Sequence, residues 1–426
     1  MDIHELLKPF QKFGINLGLE RIDRLLANLG NPHHRVPIVH VAGTNGKGSV
    51  CAYLSSVLTV AGYRVGRYTS PHLVSWTERI CINETEIPTE QLIAILREVI
   101  AAISPDCPPT QFEVFTAAAW LYFQRERVDL AVMEVGLGGR LDATNVSESP
   151  LVTTITSISR EHWQILGDTV AEIAGEKAGI LKTNCPAVLG TLPRDAERVI
   201  QRKIEQLNCP AIWVEPAEKI ADDRAKYNGI EYPLPLPGKI QLTNSAIAIA
   251  ALEILQQKGW NIPPESITEG IAKTRWLGRL QWVQWQQQKT LENIPKNILI
   301  DGAHNPAAAL LLREYVDSLS FNISKKSITW VLGILATKDQ KGILEALLRP
   351  RDRLYVIPVP HQDYTEPEQL AEIAREVCSN LLSCQTDTEL FSALERAVSD
   401  DNLVILSGSL YLIGYFLEKM RMRGFQ

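Results

Sequence analysis

The chain has few cysteines, no basic tract and no apolar run of membrane-spanning length, and each lack removes a class of protein. Its seven cysteines (Cys51, Cys81, Cys107, Cys185, Cys209, Cys378 and Cys384) are odd in number, dispersed and never spaced CxxC. Reduced thiols in a cytoplasm are expected, not a disulfide framework. Lys plus Arg number 43 against 49 Asp plus Glu, for a net charge of -6. The basic residues are scattered among acidic ones, so no nucleic-acid partner is indicated. The most apolar run, 246–255, contains Glu253 and is too short to cross a bilayer. The opening MDIHELLKPFQKFG lacks a positive start followed by an apolar core, so no secretory leader is expected there. Internal repeats and low-complexity tracts are also missing.

What is present is 426 residues, 45% of them hydrophobic, ample for two buried cores. Strand-like apolar runs alternate with helix-period segments, which predicts α/β architecture with parallel sheets. Strands are expected at 37–41, 64–68, 128–135 and 151–158, and again at 297–301, 327–334, 353–359 and 403–407. Polarity rises over 286–290 and 293–296, which reads as a linker. The expected organisation is an α/β domain with a parallel sheet over 1–293, then a smaller Rossmann-like α/β domain over 294–426.

The strongest motif is HVAGTNGKGS, 40–49. A buried strand runs into a glycine-rich turn, and a helix begins at once. It carries Val50, Leu54, Val57, Leu58 and Ala61 on one face and stops at Gly62. Such a turn closes backbone N–H groups around phosphate oxygens at the positive end of a helix. Gly43, Thr44, Asn45, Gly46, Lys47, Gly48 and Ser49 are therefore the candidate nucleoside triphosphate loop. Lys47 is placed for the β- and γ-phosphates and Ser49 for a magnesium ion. The fit to GxxxxGK[ST] is imperfect: the first glycine falls at Gly43 rather than at position 41, which is Val41, and Gly48 separates Lys47 from Ser49. The domain over 1–293 is accordingly expected to be a P-loop ATPase.

Glu134 ends an apolar strand just before the glycines of 136–139, and ligands of parallel sheets gather at such ends. Two readings stand, a magnesium ligand or a carboxylate that ties down a loop. His162 follows the next strand toward the same edge. Thr169 and Glu172 form a capping box and Gly179 a stop, so 170–178 is expected to be a helix. Val170, Ile173, Ala174 and Lys177 share one of its faces. Lys177 there either snorkels to water or is desolvated, which makes its amine less basic and able to react with carbon dioxide.

Together these residues resemble the folylpolyglutamate synthase and dihydrofolate synthase family, relatives of the Mur ligases. Further motifs carry the likeness: YTSPHL at 68–73 with Glu78-Arg79-Ile80, Phe112-Glu113, EVGLGGRLDATN at 134–145, EKAGI at 176–180 and WLGR at 276–279. DGAHNP at 301–306, Lys338-Asp339 and GSLY at 408–411 follow. The resemblance implies that Ser49 and Glu134 hold one Mg2+ ion, and that His162 and a carbamylated Lys177 hold a second. It implies ATP contacts for Asn244, Arg279 and Asp301, and folate contacts for Thr69, Ser70, Pro71 and His72. His304 and Ser409 would position L-glutamate, and Lys47, Lys177 and His304 would be the catalytic side chains.

The chain departs from the family pattern at Glu84, Glu161, Ile240, Leu277 and Thr337. None of these changes removes a proposed metal or phosphate group. The implied reaction joins L-glutamate to the tail carboxylate of a folate through an acyl phosphate, with ATP as co-substrate. Dihydropteroate is the other acceptor that the resemblance allows. A cytoplasmic monomer is expected, without membrane or nucleic-acid partners. A Mur-type cell-wall ligase is disfavoured, because only 42 residues precede Gly43 and a separate domain needs at least roughly 50. A P-loop switch or motor leaves DGAHNP and GSLY unexplained.

Overall fold

The computed structural model describes residues 2–285, 296–320, 327–398 and 402–422. The chain divides into two compact units, one of residues 1–235 and 240–275, the other of 236–239 and 276–426.

The first unit is built on an eight-stranded sheet. Its strands are β1 (Ile38–Ala42), β2 (Val65–Tyr68), β3 (Ile80–Ile82), β4 (Thr85–Glu86), β5 (Leu130–Glu134), β6 (Val152–Ile155), β7 (Ala187–Leu189) and β8 (Ala211–Trp213). They lie in the order β4-β3-β2-β5-β1-β6-β7-β8, parallel from β2 to β8, with β3 and β4 antiparallel at one edge. β1 and β5 are buried along their whole length, as expected of central strands covered on both faces. A small antiparallel sheet, β9 (Glu218–Ala221), β10 (Arg224–Tyr227) and β11 (Ile230–Pro233), completes the unit's strands. The expected four strands are all present, the first shifted by one residue and the others trimmed by one to four residues. The strands β3, β4 and β7 to β11 were not anticipated, being short or largely polar.

The helix after the phosphate loop, Lys47–Val60, is buried on every side from Ser49 to Leu58, not on one face alone. The helices Ile240–Gln257 and Pro264–Lys273 pack against it. A Cβ on Gly270 would lie 2.4 Å from Val57 Cα, so the helices touch backbone to backbone. The capping box at Thr169 and Glu172 forms, and the helix it opens spans Val170–Ala178 as expected. An N-cap of this kind stabilises a helix by about 1 kcal/mol.

The second unit holds a six-stranded sheet of β12 (Gln281–Trp285), β13 (Lys296–Ile300), β14 (Ile328–Leu332), β15 (Arg353–Val356), β16 (Ser383–Thr386) and β17 (Leu403–Ser407). The order is β12-β13-β17-β14-β15-β16, all parallel except the edge strand β12. The linker read over 286–296 lies, apart from its last residue, outside the described residues. The anticipated boundary at 293/294 falls inside the second unit, because β12 already pairs with β13, Trp285 opposite Lys296. Polarity alone does not show that the strands on either side of this stretch belong to one sheet. No helix among the described residues is long and apolar enough to cross a membrane, and all seven cysteines are free thiols.

Candidate active site

The phosphate loop leaves the carboxyl end of β1 between β5 and β6. Gly43 and Gly46 take φ of +150° and +89°, conformations that a side chain disfavours. The residues after β6 brace the turn. Ser157 O accepts from Thr44 N at 2.7 Å, Ser157 Oγ accepts from Asn45 N at 3.0 Å, and Thr156 Oγ1 donates to Asn45 O at 2.6 Å. Lys47, the first residue of the helix, donates through Nζ to the Gly43 and Thr44 carbonyls, both at 3.1 Å.

Lys177 reaches the same place from a distant helix. Its Nζ donates to Gly43 O at 2.8 Å, and the residue is 5% exposed. Burial pushes its pKa down to about 7, and the nearby Lys47 adds to that effect against the opposing pull of Glu161 and Asp142. Of the two readings of this lysine, the desolvated one holds. Two nitrogen groups therefore converge on one carbonyl of the phosphate turn.

Ser49 and Glu134 are both 5% exposed. Ser49 Oγ accepts from Gln241 Nε2 at 3.4 Å, and Gln241 Oε1 accepts from Asn244 Nδ2 at 3.0 Å. Asn244 also packs on the turn, since a Cβ on Gly46 would meet its Oδ1 at 2.4 Å. The motif reading named Asn244 and passed over Gln241, the side chain that links it to Ser49. Glu134 closes β5 beside Val41 of β1, and its Oε2 accepts from Ser70 N at 3.2 Å. The carboxylate thus joins the phosphate-loop strand to the loop expected to meet folate.

Hard oxygen donors such as Ser49 and Glu134 suit magnesium, which usually takes one or two protein carboxylates, substrate phosphates and water. Among the described residues no three His, Cys, Asp or Glu side chains form a metal cage. His162 lies beyond β6 with φ of +51°, its Nε2 3.9 Å from Glu161 Oε1. Its side chain is 38% exposed while that of Glu161 is 11%.

Thr69 to His72 leave β2 in a loop that is internally fastened. Glu78 accepts three backbone N–H groups, from Leu73, Val74 and Ser75, at 2.8 to 2.9 Å. The Ser70–Pro71 peptide is cis. Arg79 Nε donates to His72 Nδ1 at 2.8 Å, and the guanidinium lies 4.5 Å over the Trp76 ring. Burial and then the Arg79 charge lower the His72 pKa to about 3, so the ring is neutral and its Nε2 carries the hydrogen. Trp76 and Arg79 were not singled out from sequence; only the Glu78-Arg79-Ile80 motif pointed at them. Glu84, a departure from the family pattern, takes φ of +62° and pairs with the buried Arg67 at 2.9 Å.

In the second unit, Asp301 follows β13 and accepts from Leu280 N and Ala303 N, each at 2.8 Å. Burial raises its pKa, and the charge of Arg279 opposes the rise. His304 Nδ1 donates to Gly302 O at 2.8 Å. Ser409, 1% exposed, follows β17, and its Oγ accepts from Tyr411 N at 3.2 Å. β13 and β17 are parallel neighbours, so His304 and Ser409 share one sheet edge.

Comparison with known proteins agrees with this geometry. Residues 41–252 match the family model described as the Mur ligase middle domain, and residues 281–419 match that of the dihydrofolate synthetase C-terminal domain. The chain is 33% identical to the dihydrofolate synthase/folylpolyglutamate synthase of Bacillus subtilis, covering 96% of each chain. It is 35% identical to the dihydrofolate synthetase of Saccharomyces cerevisiae, over 95% of this chain and 98% of that one. Among solved structures, E. coli FolC in complex with DHPP and ADP superposes with a TM-score of 0.85 at 30% identity, covering 100% of this chain and 99% of that one. Near-complete coverage in sequence and in structure, on top of a phosphate loop flanked by Glu134 and Lys177, makes this chain a member of the folylpolyglutamate synthase/dihydrofolate synthase family of ATP-dependent ligases.

Proposed function

We propose that this chain joins L-glutamate to the tail carboxylate of a folate, with dihydropteroate as a second acceptor, at the expense of ATP. The observation that carries the reading is the convergence of Lys47 and Lys177 on the Gly43 carbonyl of a glycine turn. The tail carboxylate attacks the γ-phosphorus and ADP leaves. The glutamate amine then attacks the acyl carbon, phosphate leaves, and one proton is released as the amide forms.

Lys47 neutralises charge on the transferring phosphoryl group, and the backbone N–H groups at the start of the helix, 46–49, orient the triphosphate. Ser49 and Glu134 hold one magnesium, which supplies Lewis-acid charge to the phosphate oxygens. His162 and Lys177, carbamylated on Nζ, hold a second. The lowered basicity of Lys177 supports that modification, because a neutral amine is what reacts with carbon dioxide, releasing a proton. The carbamate nitrogen keeps one hydrogen for the Gly43 carbonyl. Asn244, Arg279 and Asp301 contact ATP, Thr69 to His72 the folate, and His304 and Ser409 the glutamate.

The proposed ligands all come from one chain, and we read the enzyme as a monomer. Seven free thiols support a reducing, cytoplasmic setting. A Mur-type acceptor is disfavoured by the match of residues 281–419 to the dihydrofolate synthetase domain. The test offers purified protein tetrahydrofolate and dihydropteroate separately, each with ATP, magnesium and L-glutamate. Glutamate-dependent ADP release with at least one pteroyl acceptor is expected, and none with either would overturn the reading.

A further inference from the structure

His40 lies in the middle of β1, between Met133 of β5 and Thr153 of β6, and is 1% exposed. It is three residues ahead of Gly43, in the strand that feeds the phosphate turn. Its Nε2 is 2.8 Å from Thr144 Oγ1, and Thr144 Oγ1 is 2.6 Å from Asp142 Oδ1. Asp142 also accepts from Thr144 N at 3.0 Å and from Leu137 N at 2.8 Å. The single hydroxyl proton of Thr144 is committed to Asp142, so the hydroxyl lone pair receives the His40 Nε2 hydrogen. The directions are thereby fixed: His40 donates to Thr144, Thr144 donates to Asp142, and Asp142 accepts from the backbone N–H groups of Leu137 and Thr144.

That backbone is the exit loop of Glu134, and it is fastened at its far side to the Lys177 helix. Arg140 N donates to Glu176 O at 2.7 Å, and the Arg140 guanidinium meets the Glu176 carboxylate at 2.9 Å. Asn145 Nδ2 donates to Arg140 O at 3.0 Å and to Gly179 O at 3.1 Å. Neither backbone has room to shift: a Cβ on Gly139 would lie 2.9 Å from Glu176 O, and one on Gly179 would lie 2.3 Å from Arg140 Cα. One network therefore joins the strand that feeds the phosphate loop, the loop after Glu134 and the helix that carries Lys177.

We propose that His40, Thr144 and Asp142 are positioning residues, a buried hydrogen-bond relay that holds Glu134 and Lys177 in register with the phosphate loop. The ring of His40 stays neutral, since burial lowers its pKa to about 3, so the relay keeps one direction throughout the physiological range. A buried hydrogen-bond network of this kind specifies a single arrangement, and partial loss of it is costly. The proposal rests on the functional reading above only where it concerns magnesium and nucleotide.

The test uses Thr144→Val, which keeps the shape and deletes the hydroxyl, beside Thr144→Ser, which restores it. A second pair, His40→Leu and His40→Gln, removes and keeps the donor at the other end, should the valine variant not fold. Amide hydrogen exchange at Leu137 and Thr144 is measured without ligand, and ADP affinity is measured with and without magnesium. Exchange at both amides should quicken at least about 10-fold in Thr144→Val. The gain in ADP affinity on adding magnesium should shrink about 10-fold, with both effects reversed in Thr144→Ser. Unchanged exchange would overturn the relay. Faster exchange with an undiminished magnesium gain would overturn the positioning role and leave a merely structural one. If the wild type binds no ADP, the functional reading fails, and the exchange data still decide the relay.

Discussion

Gly43→Ala perturbs the phosphate loop at its tightest point. Gly43 has φ of +150°, and a Cβ added there would lie 2.0 Å from Thr156 Oγ1, 3.1 Å from Thr156 Cβ and 3.2 Å from Ser157 N. Thr156 is 2% exposed, and its hydroxyl donates to the Asn45 carbonyl. To clear the methyl group the threonine has to turn away and give up that bond, a loss of about 1 kcal/mol. Alanine in this backbone region costs about 1–2 kcal/mol more. If the loop binds nucleotide, a penalty of roughly 2–3 kcal/mol on its competent shape raises the ADP dissociation constant roughly 30- to 150-fold. Calorimetric titration of the wild type, Gly43→Ala and the double variant with Thr156→Ala measures it. The second substitution deletes the atom at 2.0 Å and leaves contacts of 3.1 Å and beyond, so the double variant should bind at least about 5-fold tighter than Gly43→Ala alone. Binding by Gly43→Ala within about 3-fold of wild type would refute the reasoning, as would a double variant no better than the single.

Lys47→Ala removes a cation from the turn and no core residue, so turnover should fall by at least about 100-fold with the urea midpoint little changed; near-normal ADP formation would count against the assignment. Burial pushes the His40 pKa to about 3, below the ordinary 6.5. The unfolded chain takes up a proton that the folded one refuses, so this contribution is complete above pH 6.5 and is lost as pH falls below it. At pH 5 the loss is about 2 kcal/mol, and His40→Gln should flatten that part of the urea-midpoint profile between pH 7 and 5. Substituting His304 or Ser409 with Ala should raise the KM for L-glutamate at least about 10-fold and that for ATP less; equal effects on both would remove the glutamate role.

Much of this architecture was legible in the sequence because central strands carry strong local signals. The runs feeding β1 and β5 are continuous and apolar, and the glycines at 43 and 46 mark positions where the backbone needs positive φ. The Lys177 helix was readable end to end from its capping box and its glycine stop. Its partner was not. Lys177 meets Gly43 and Gln241 meets Ser49 across long stretches of chain, and no local periodicity encodes such meetings. The motif EVGLGGRLDATN pointed at Glu134 and concealed the separate task of Asp142, whose hydrogen bonds run within the loop and reach β1 only through Thr144. Polarity misled at 286–296, where a hydrophilic stretch follows a strand that already belongs to the second sheet. The exposed strand β9, at the edge of its sheet, was missed for a related reason, since side chains facing water lack the alternation that marks a half-buried strand.

The most direct test of the account is ADP release by the purified chain with ATP, magnesium, tetrahydrofolate and L-glutamate, omitting one component at a time and weighing the folate product. The account predicts steady ADP release only when both the folate and the amino acid are present, with a product heavier by glutamyl residues. Steady release that ignores the omission of either, or a folate of unchanged mass, would contradict it.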